Sequence, residues 1–326
     1  MRRSCIPGIA LLFLSGLTVA DEPKSGFAAP RIEEPAMDVV LVTGEQPGPA
    51  FWKVTSGDHV LWILGEVSPV PRKMKWRSKQ FERRLAQSQE VLLETGQVSQ
   101  ACMQLHAAMP RLSDPFAGRT LKDVLSPEHY SRVQAVSDIY GEREKIEKLH
   151  PFAATTHLWN RVPYSLKLRI FGASVAANDL ARKADVRVTW IPLPCMTQVD
   201  AIHPSEFPVP CVERVLEVIE DGGSGLRRLA NAWSIGDIKE LRHLVPAYAV
   251  ANESHQPSKC TVALTGEQFA DELVARRTES WLNVAERALR ENRNTMAVVP
   301  IAELFAPDGY LAGLRAKEFE VNEPAY

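Results

Sequence analysis

The order of elements predicts the α/β class. Within residues 51–94 a strand hairpin is followed by a helix and then by a short apolar strand. A β-branched strand at 186–191 follows another helix, and one at 295–299 follows a long helical stretch. The composition agrees. With 45% hydrophobic and 24% charged residues over 326 positions, the chain is ordinary globular material, long enough to bury a core without a metal or disulfide staple.

Residues 21–50, rich in Pro, Glu and Gly, read as a flexible lead-in, and structure is expected from Phe51. Trp52-Lys53-Val54 and Val60-Leu61-Trp62-Ile63-Leu64 read as strands around a Ser56-Gly57-Asp58 turn, with Gly65 ending the second. Pro69 and Pro71 predict a rigid loop. Ser78 is placed to cap a helix through Ser88, and Val91-Leu92-Leu93-Glu94 is a short strand ending on a carboxylate. Ser126-Pro127-Glu128, an N-cap followed by proline at the first helical position, starts a helix to Tyr140. Further helices are expected from His150-Pro151 to Asn160, over 172–183, 212–220 and 225–232, from Gly236-Asp237 to near His243, over 266–292 with room for one break, and over 309–317. Pro192 and Pro194 stop the strand at 186–191, and Pro300 stops the one at 295–299. The chain has no tandem repeat and no low-complexity tract.

The 38 basic and 40 acidic side chains leave a net charge of -2, which argues against a dedicated nucleic-acid binder. Arg2 and Arg3, the apolar residues 9–19 and Thr18-Val19-Ala20 read as a signal peptide over 1–20, cleaved before Asp21. The apolar run is shorter than the about 20 residues a membrane-spanning helix needs. No later segment approaches that length, so a soluble mature chain in the periplasm or outside the cell is expected. Cleavage removes Cys5 and leaves Cys102, Cys195, Cys211 and Cys260, an even count that suggests two disulfides. Cys195 and Cys211 are closest, which would leave Cys102 with Cys260; the alternative is four unrelated buried thiols. The absence of a C-x-x-C spacing argues against a redox motif or zinc knuckle.

Several segments, taken in order, resemble the TraB/PrgY/GumN family, which includes the Tiki proteases. Phe51-Trp52-Lys53-Val54, Leu61-Trp62-Ile63-Leu64-Gly65, Met74-Lys75-Trp76 and Val91-Leu92-Leu93-Glu94 follow its opening. Trp233-Ser234-Ile235-Gly236-Asp237 matches a W-x-x-G-D segment. Arg277, four residues before Trp281, sits at an R-N-x-x-W or R-N-x-x-M element, and Asp308-Gly309-Tyr310-Leu311 with Leu314-Arg315 resembles a closing D-G-x-L-x-x-L. The resemblance implies one large domain over 51–326, a central mixed sheet flanked by helices, with sites at strand ends. It also implies two G-x-x-H motifs with acidic and arginine partners in the hydrolytic members. This chain departs at both motifs. Ser68 stands where the first histidine is expected, in Gly65-Glu66-Val67-Ser68. Glu303 stands at the second, in Pro300-Ile301-Ala302-Glu303, and Thr278 replaces the asparagine after the arginine.

Glu94 and Arg277 are therefore vestigial catalytic candidates, and Ser68 and Glu303 are the positions aligned with the family histidines. A neutral serine hydroxyl is a poor transition-metal ligand, whereas a carboxylate is acceptable, so Glu66, Glu94 and Glu303 would have to converge to rebuild a metal site. The bland alternative is a solvated Glu303 and a purely structural Glu94–Arg277 pair. Ser68 as a nucleophile lacks a G-x-S-x-G elbow and a recognisable base; the scattered histidines include His59, expected at the hairpin surface, and His150, at a helix start. The basic stretch Arg72-Lys73-Met74-Lys75-Trp76-Arg77, with Lys79, Arg83 and Arg84, reads as a solvated face, with contact to anionic lipid head groups as the other reading.

The reading favoured by these residues is an exported, catalytically degenerate protein without cofactor or metal, binding a peptide, glycan or protein partner in a residual cleft. The rivals are a metal-dependent peptidase with a rebuilt carboxylate site and a purely structural envelope protein. The signal reading has its own check: the intact mass of the exported protein is expected to correspond to a chain beginning at or near Asp21, and a retained N-terminus would mean an anchor instead.

Overall fold

The structure is a computed structural model. It describes residues 48–324 apart from 77, 95–119, 148, 150–153, 155–156, 159–160, 162–163, 171, 193–208 and 249–266. The side chains of Cys102, Cys195, Cys211 and Cys260 and all of His150 fall outside the described residues, and so do most of the helix expected over 150–160 and the lead-in through residue 47.

A hairpin opens the described chain, β1 (Phe51–Ser56) and β2 (His59–Glu66), with Trp52 facing Ile63 and Lys53 facing Trp62. There follow β3 (Val70–Pro71), α1 (Lys79–Ala86), β4 (Glu90–Glu94), α2 (Leu121–Val124), α3 (Pro127–Tyr140), α4 (Arg143–Ile146) and β5 (Leu168–Arg169). The second half runs α5 (Ala173–Lys183), β6 (Arg187–Ile191), α6 (Val209–Glu220), α7 (Ser224–Ile235), α8 (Ile238–Tyr248), α9 (Glu267–Glu291), β7 (Asn294–Pro300), α10 (Ile301–Phe305), α11 (Tyr310–Ala316) and β8 (Glu320–Asn322).

Six strands form one mixed sheet in the order β6-β4-β7-β2-β1-β8. β6, β4, β7 and β2 are parallel, while β1 runs antiparallel to both its neighbours. The three central strands are almost wholly apolar, with Val91, Leu92, Leu93, Met296 and Ala297 at 0% exposure, as strands covered on both faces must be. Helices do cover both faces. Phe51 and Trp52 point to opposite sides of β1; Arg84 of α1 lies over Phe51, and Phe305 of α10 meets Trp52 edge-on. A second cluster, around Leu121, Val133, Val136, Ile146 and Leu216, packs α2, α3, α4 and α6 together. Among the described residues no helix is long and apolar enough to cross a membrane.

Three expectations need correction: the end of β2, the loop at Pro69 and Pro71, and the cap at Ser78. β2 does not end at Gly65 but continues to Glu66, because Gly65 pairs with Val299 of β7. The glycine serves close packing instead of termination: a Cβ there would lie 2.7 Å from Cγ1 of Ile301. The segment around Pro69 and Pro71 is not only a loop, since Val70–Pro71 pairs with Leu168–Arg169 in a two-stranded sheet. Pro71 occupies a strand with a single described partner, the setting in which proline is tolerated. The long helix α9 is unbroken, and Pro300 ends β7 but also caps α10, a helix too short to show a period in sequence. Ser78 stands at the N-cap of α1, yet its hydroxyl bonds the Glu82 side chain and no helix amide. Ser126 caps α3 as expected, accepting from the His129 amide at 3.2 Å.

The start of β4 is tied by a buried carboxylate. Glu90, at 0% exposure, accepts from Arg187 (2.8 Å), both amino groups of Arg287 (2.7 and 3.2 Å), Asn292 (2.7 Å) and the Thr189 hydroxyl. Burial opposes its charge, but the bonds from Arg287, Thr189, Arg187 and Asn292 outweigh it and bring its pKa down to about 2 from 4.5. A lowered native pKa means the unfolded chain takes up the proton first. The stabilisation is therefore complete above about pH 4.5 and fades as pH falls towards 2. Glu90→Gln is expected to be less stable than the parent at neutral pH, with the gap narrowing as pH falls through that window in urea denaturation. A gap that stays constant with pH would contradict this account.

Candidate functional site

The parallel strands β4, β7 and β2 end side by side, and their C-terminal ends carry Glu94, the turn into Glu303, and Glu66. Glu94 is the last residue of β4. Glu303 lies in the first turn of α10, three residues past the end of β7. Arg277 reaches them from α9. Its Nε and Nη2 each donate to Glu94 at 3.1 Å, a two-pronged contact, while Nη1 lies 3.0 Å from Oε1 of Glu303. The planar fork of a guanidinium suits this bridging, which the point charge of a lysine could not reproduce.

These groups are enclosed: side-chain exposure is 6% for Glu94, 12% for Arg277 and 0% for Glu303. Burial alone would disfavour the guanidinium charge, but Glu94, the Tyr310 hydroxyl and Glu303 more than compensate, so the Arg277 pKa is raised above its already basic value. Tyr310, the first residue of α11, donates its hydroxyl to Oε1 of Glu94. Burial first, and then the Glu94 charge, push the phenol pKa well above its usual value, keeping it a donor. Its ring stacks flat on Trp281, with centroids 4.2 Å apart and planes within 2°. Trp281 lies one turn beyond Arg277 on α9, so the same helix supplies the cation and the platform. Gly309 permits the closure of α11 on α10, since a Cβ there would come within 2.3 Å of the Glu303 carbonyl oxygen.

Glu66 does not join this group. Its Oε1 accepts from the backbone amides of Gly172 (2.8 Å), Ala173 (2.7 Å) and Ser174 (3.2 Å), capping α5 from a distant strand. The N-cap residue, Gly172, has no side chain to do this itself, and a carboxylate at a helix N-terminus also meets a favourable dipole. The adjacent Gly65 carbonyl accepts from the Trp233 indole at 2.6 Å, tying the end of β2 to α7. Ser68 follows in the loop, partly buried and joined to Pro69 by a cis peptide.

The sequence candidates Glu94, Arg277 and Glu303 are thus brought together, while Glu66 is turned to a helix. Glu303 is fully buried and bridged, not a solvated residue. His59 is half-buried, with its Nε2 3.5 Å from Asp58. Tyr310 and Trp281 entered the sequence reading only as parts of motifs. The signal for Tyr310 was its place right after Asp308-Gly309, a tight entry to a helix beside the strand ends. Among the described residues there is no group of three or more His, Cys, Asp or Glu side chains that could hold a metal ion.

A mixed α/β sheet with an ionic cluster enclosed at the C-terminal ends of its parallel strands defines the class of domain. The chain belongs to the TraB/PrgY/gumN family, whose sequence model matches residues 50–323. No curated protein and no solved structure matches the chain.

The bridge predicts its own disruption. Arg277→Met leaves two buried carboxylates uncompensated and is expected to destabilise the fold by about 3–5 kcal/mol. Combining it with Glu94→Gln and Glu303→Gln is expected to restore much of that loss, measured by denaturant unfolding. Equal stability of Arg277→Met and the parent would show the bridge to be dispensable.

Proposed function

We propose that this protein is an exported, non-catalytic member of the TraB/PrgY/gumN family that binds a peptide, glycan or protein partner at the C-terminal edge of its parallel strands. The observation that carries this reading is the position of the Arg277 guanidinium, between Glu94 and Glu303 and in contact with both. A catalytic metal of the kind the family resemblance implies needs about three protein ligands and an open water position. The residues present do not suit it. Two of the three available carboxylates already neutralise an internal cation, and the third, Glu66, is bonded to three helix amides. A metal at Glu94 and Glu303 would have to displace a buried arginine or sit beside its positive charge.

The positions aligned with the family histidines support the same reading. Ser68 offers a neutral hydroxyl, and Glu303 is committed to Arg277. A non-catalytic role leaves the strand-end surface, where ligands gather in α/β sheets, as the place for a partner.

Elemental analysis of the exported protein, purified without chelator, tests this. Substoichiometric zinc, manganese and cobalt is expected, together with no peptide hydrolysis that depends on added metal. About one equivalent of any of these metals, abolished by Glu303→Ala, would overturn the reading and establish a rebuilt hydrolase.

A further inference from the structure

A second cationic feature lies on the sheet face where α1 packs over β1 and β2. Lys53 and Trp62 are direct partners across the β1–β2 hairpin, so their side chains share a face, and Phe51, two residues before Lys53, lies on the same face. All three are partly exposed. Arg84 reaches this face from α1. Its guanidinium carbon lies 3.6 Å from the Trp62 ring centroid and 4.3 Å from that of Phe51, while Lys53 Nζ is 5.8 Å from the Trp62 ring. Two cations therefore converge on one indole.

Most arginines of the domain are ion-paired. Arg132, Arg187, Arg228, Arg242, Arg277 and Arg287 each meet a carboxylate. Among the described residues Arg84 makes no salt bridge, and its Nη1 is sheltered from solvent without a hydrogen-bond partner. Burial without a counter-charge lowers its pKa to about 10 from 12.5. Lys53 makes no salt bridge either among the described residues, although its charge contributes to keeping Glu320 of β8 below the usual carboxylate range, after the bonds from Asn322 and Thr55.

We propose that Arg84 and Lys53, gathered on Trp62, form a binding site for a phosphate group. The aromatic bed holds the guanidinium flat, so the fork is orientated before a ligand arrives and little rotamer freedom is lost on binding. A tetrahedral dianion accepts N–H bonds from Nε and Nη2, the guanidinium nitrogens other than the sheltered Nη1, and a charge-assisted one from the ammonium, and it supplies the counter-charge that Arg84 lacks. The phosphate is free, carried on a soluble ester, or presented by a lipid head group. The recognising chemistry is the same.

Calorimetric titration of the full-length mature protein with inorganic phosphate at constant ionic strength tests the site, with vesicles containing phosphatidylglycerol as a second arm. Saturable phosphate binding is expected, weakened at least about tenfold by Lys53→Met and by Arg84→Met. Arg84→Lys keeps the charge and loses the fork; it is expected to weaken binding likewise, and it serves where Arg84→Met fails to fold. Arg83→Met, at an exposed neighbour on α1, is expected to bind as the parent does. Binding to vesicles but not to inorganic phosphate, with the same loss in Lys53→Met and Arg84→Lys, would assign the phosphate to a lipid. No saturable binding in either arm, or binding unchanged in both variants, would overturn the proposal.

Discussion

One helix fixes both ends of one strand. β4 reads Glu90-Val91-Leu92-Leu93-Glu94, a carboxylate at each end of an apolar run, and α9 supplies an arginine to each: Arg287 to Glu90 and Arg277 to Glu94. The geometry matches. Ten helical residues rise about 15 Å, and four residues of a parallel strand extend about 13 Å. The order of contacts requires α9 to run antiparallel to β4. Sliding α9 by one turn, about 5.4 Å, would break both contacts at once, leaving Glu90 to Arg187 and Thr189 of β6 and Glu94 without its arginine. The ion pairs thus set the register while burial supplies most of the favourable energy.

With α9 held in register, the elements after it fall into place. β7 starts three residues beyond Glu291 and enters the sheet between β4 and β2. Its end delivers α10, whose Glu303 takes the remaining arm of Arg277, and the Gly309 corner turns α11 so that Tyr310 lands on Trp281 and Glu94. Strand end, helix arginine, second carboxylate and phenol are consequences of a single docking. The same is true on the other flank, where Glu66 caps α5 across more than a hundred residues of chain. Carboxylates at the strand ends here answer to the backbone and to arginine, which makes this edge an organising layer of the fold.

Much of the sheet was legible in the sequence. Strands at 60–64, 91–94 and 295–299 announced themselves as apolar runs of the sheet interior, and the edge strand at 186–191 by its β-branched residues. Helix starts with proline, as at Ser126-Pro127, were equally plain. The failures have a common cause. Gly65, Pro71 and Pro300 were read as local punctuation, yet each is decided by a partner far away: Val299 and Ile301 for Gly65, Leu168 for Pro71, Glu66 across the sheet for Pro300. Glu94, Arg277 and Glu303 were legible as candidates through the family resemblance. The Glu94–Arg277 pair was among the readings, but its extension to Glu303 was not, because nothing in a linear sequence says how many carboxylates an arginine will meet.

Charged residues bounding an apolar strand are unusual, since ionised groups there need a partner that follows them into the interior. Two arginines separated by ten positions on a long helix provide such partners only in one orientation. Glu303 then becomes the informative residue. It adds a second carboxylate where the strand end already has one, so the pocket holds two acids and one base, with Tyr310 donating to the first acid. Two adjacent carboxylates would repel strongly without a cation between them. In this chain the cation is covalently part of the protein. A site that carries its own counter-ion on a helix is stabilised in one arrangement, so the contact that neutralises the two acids also secures the fold.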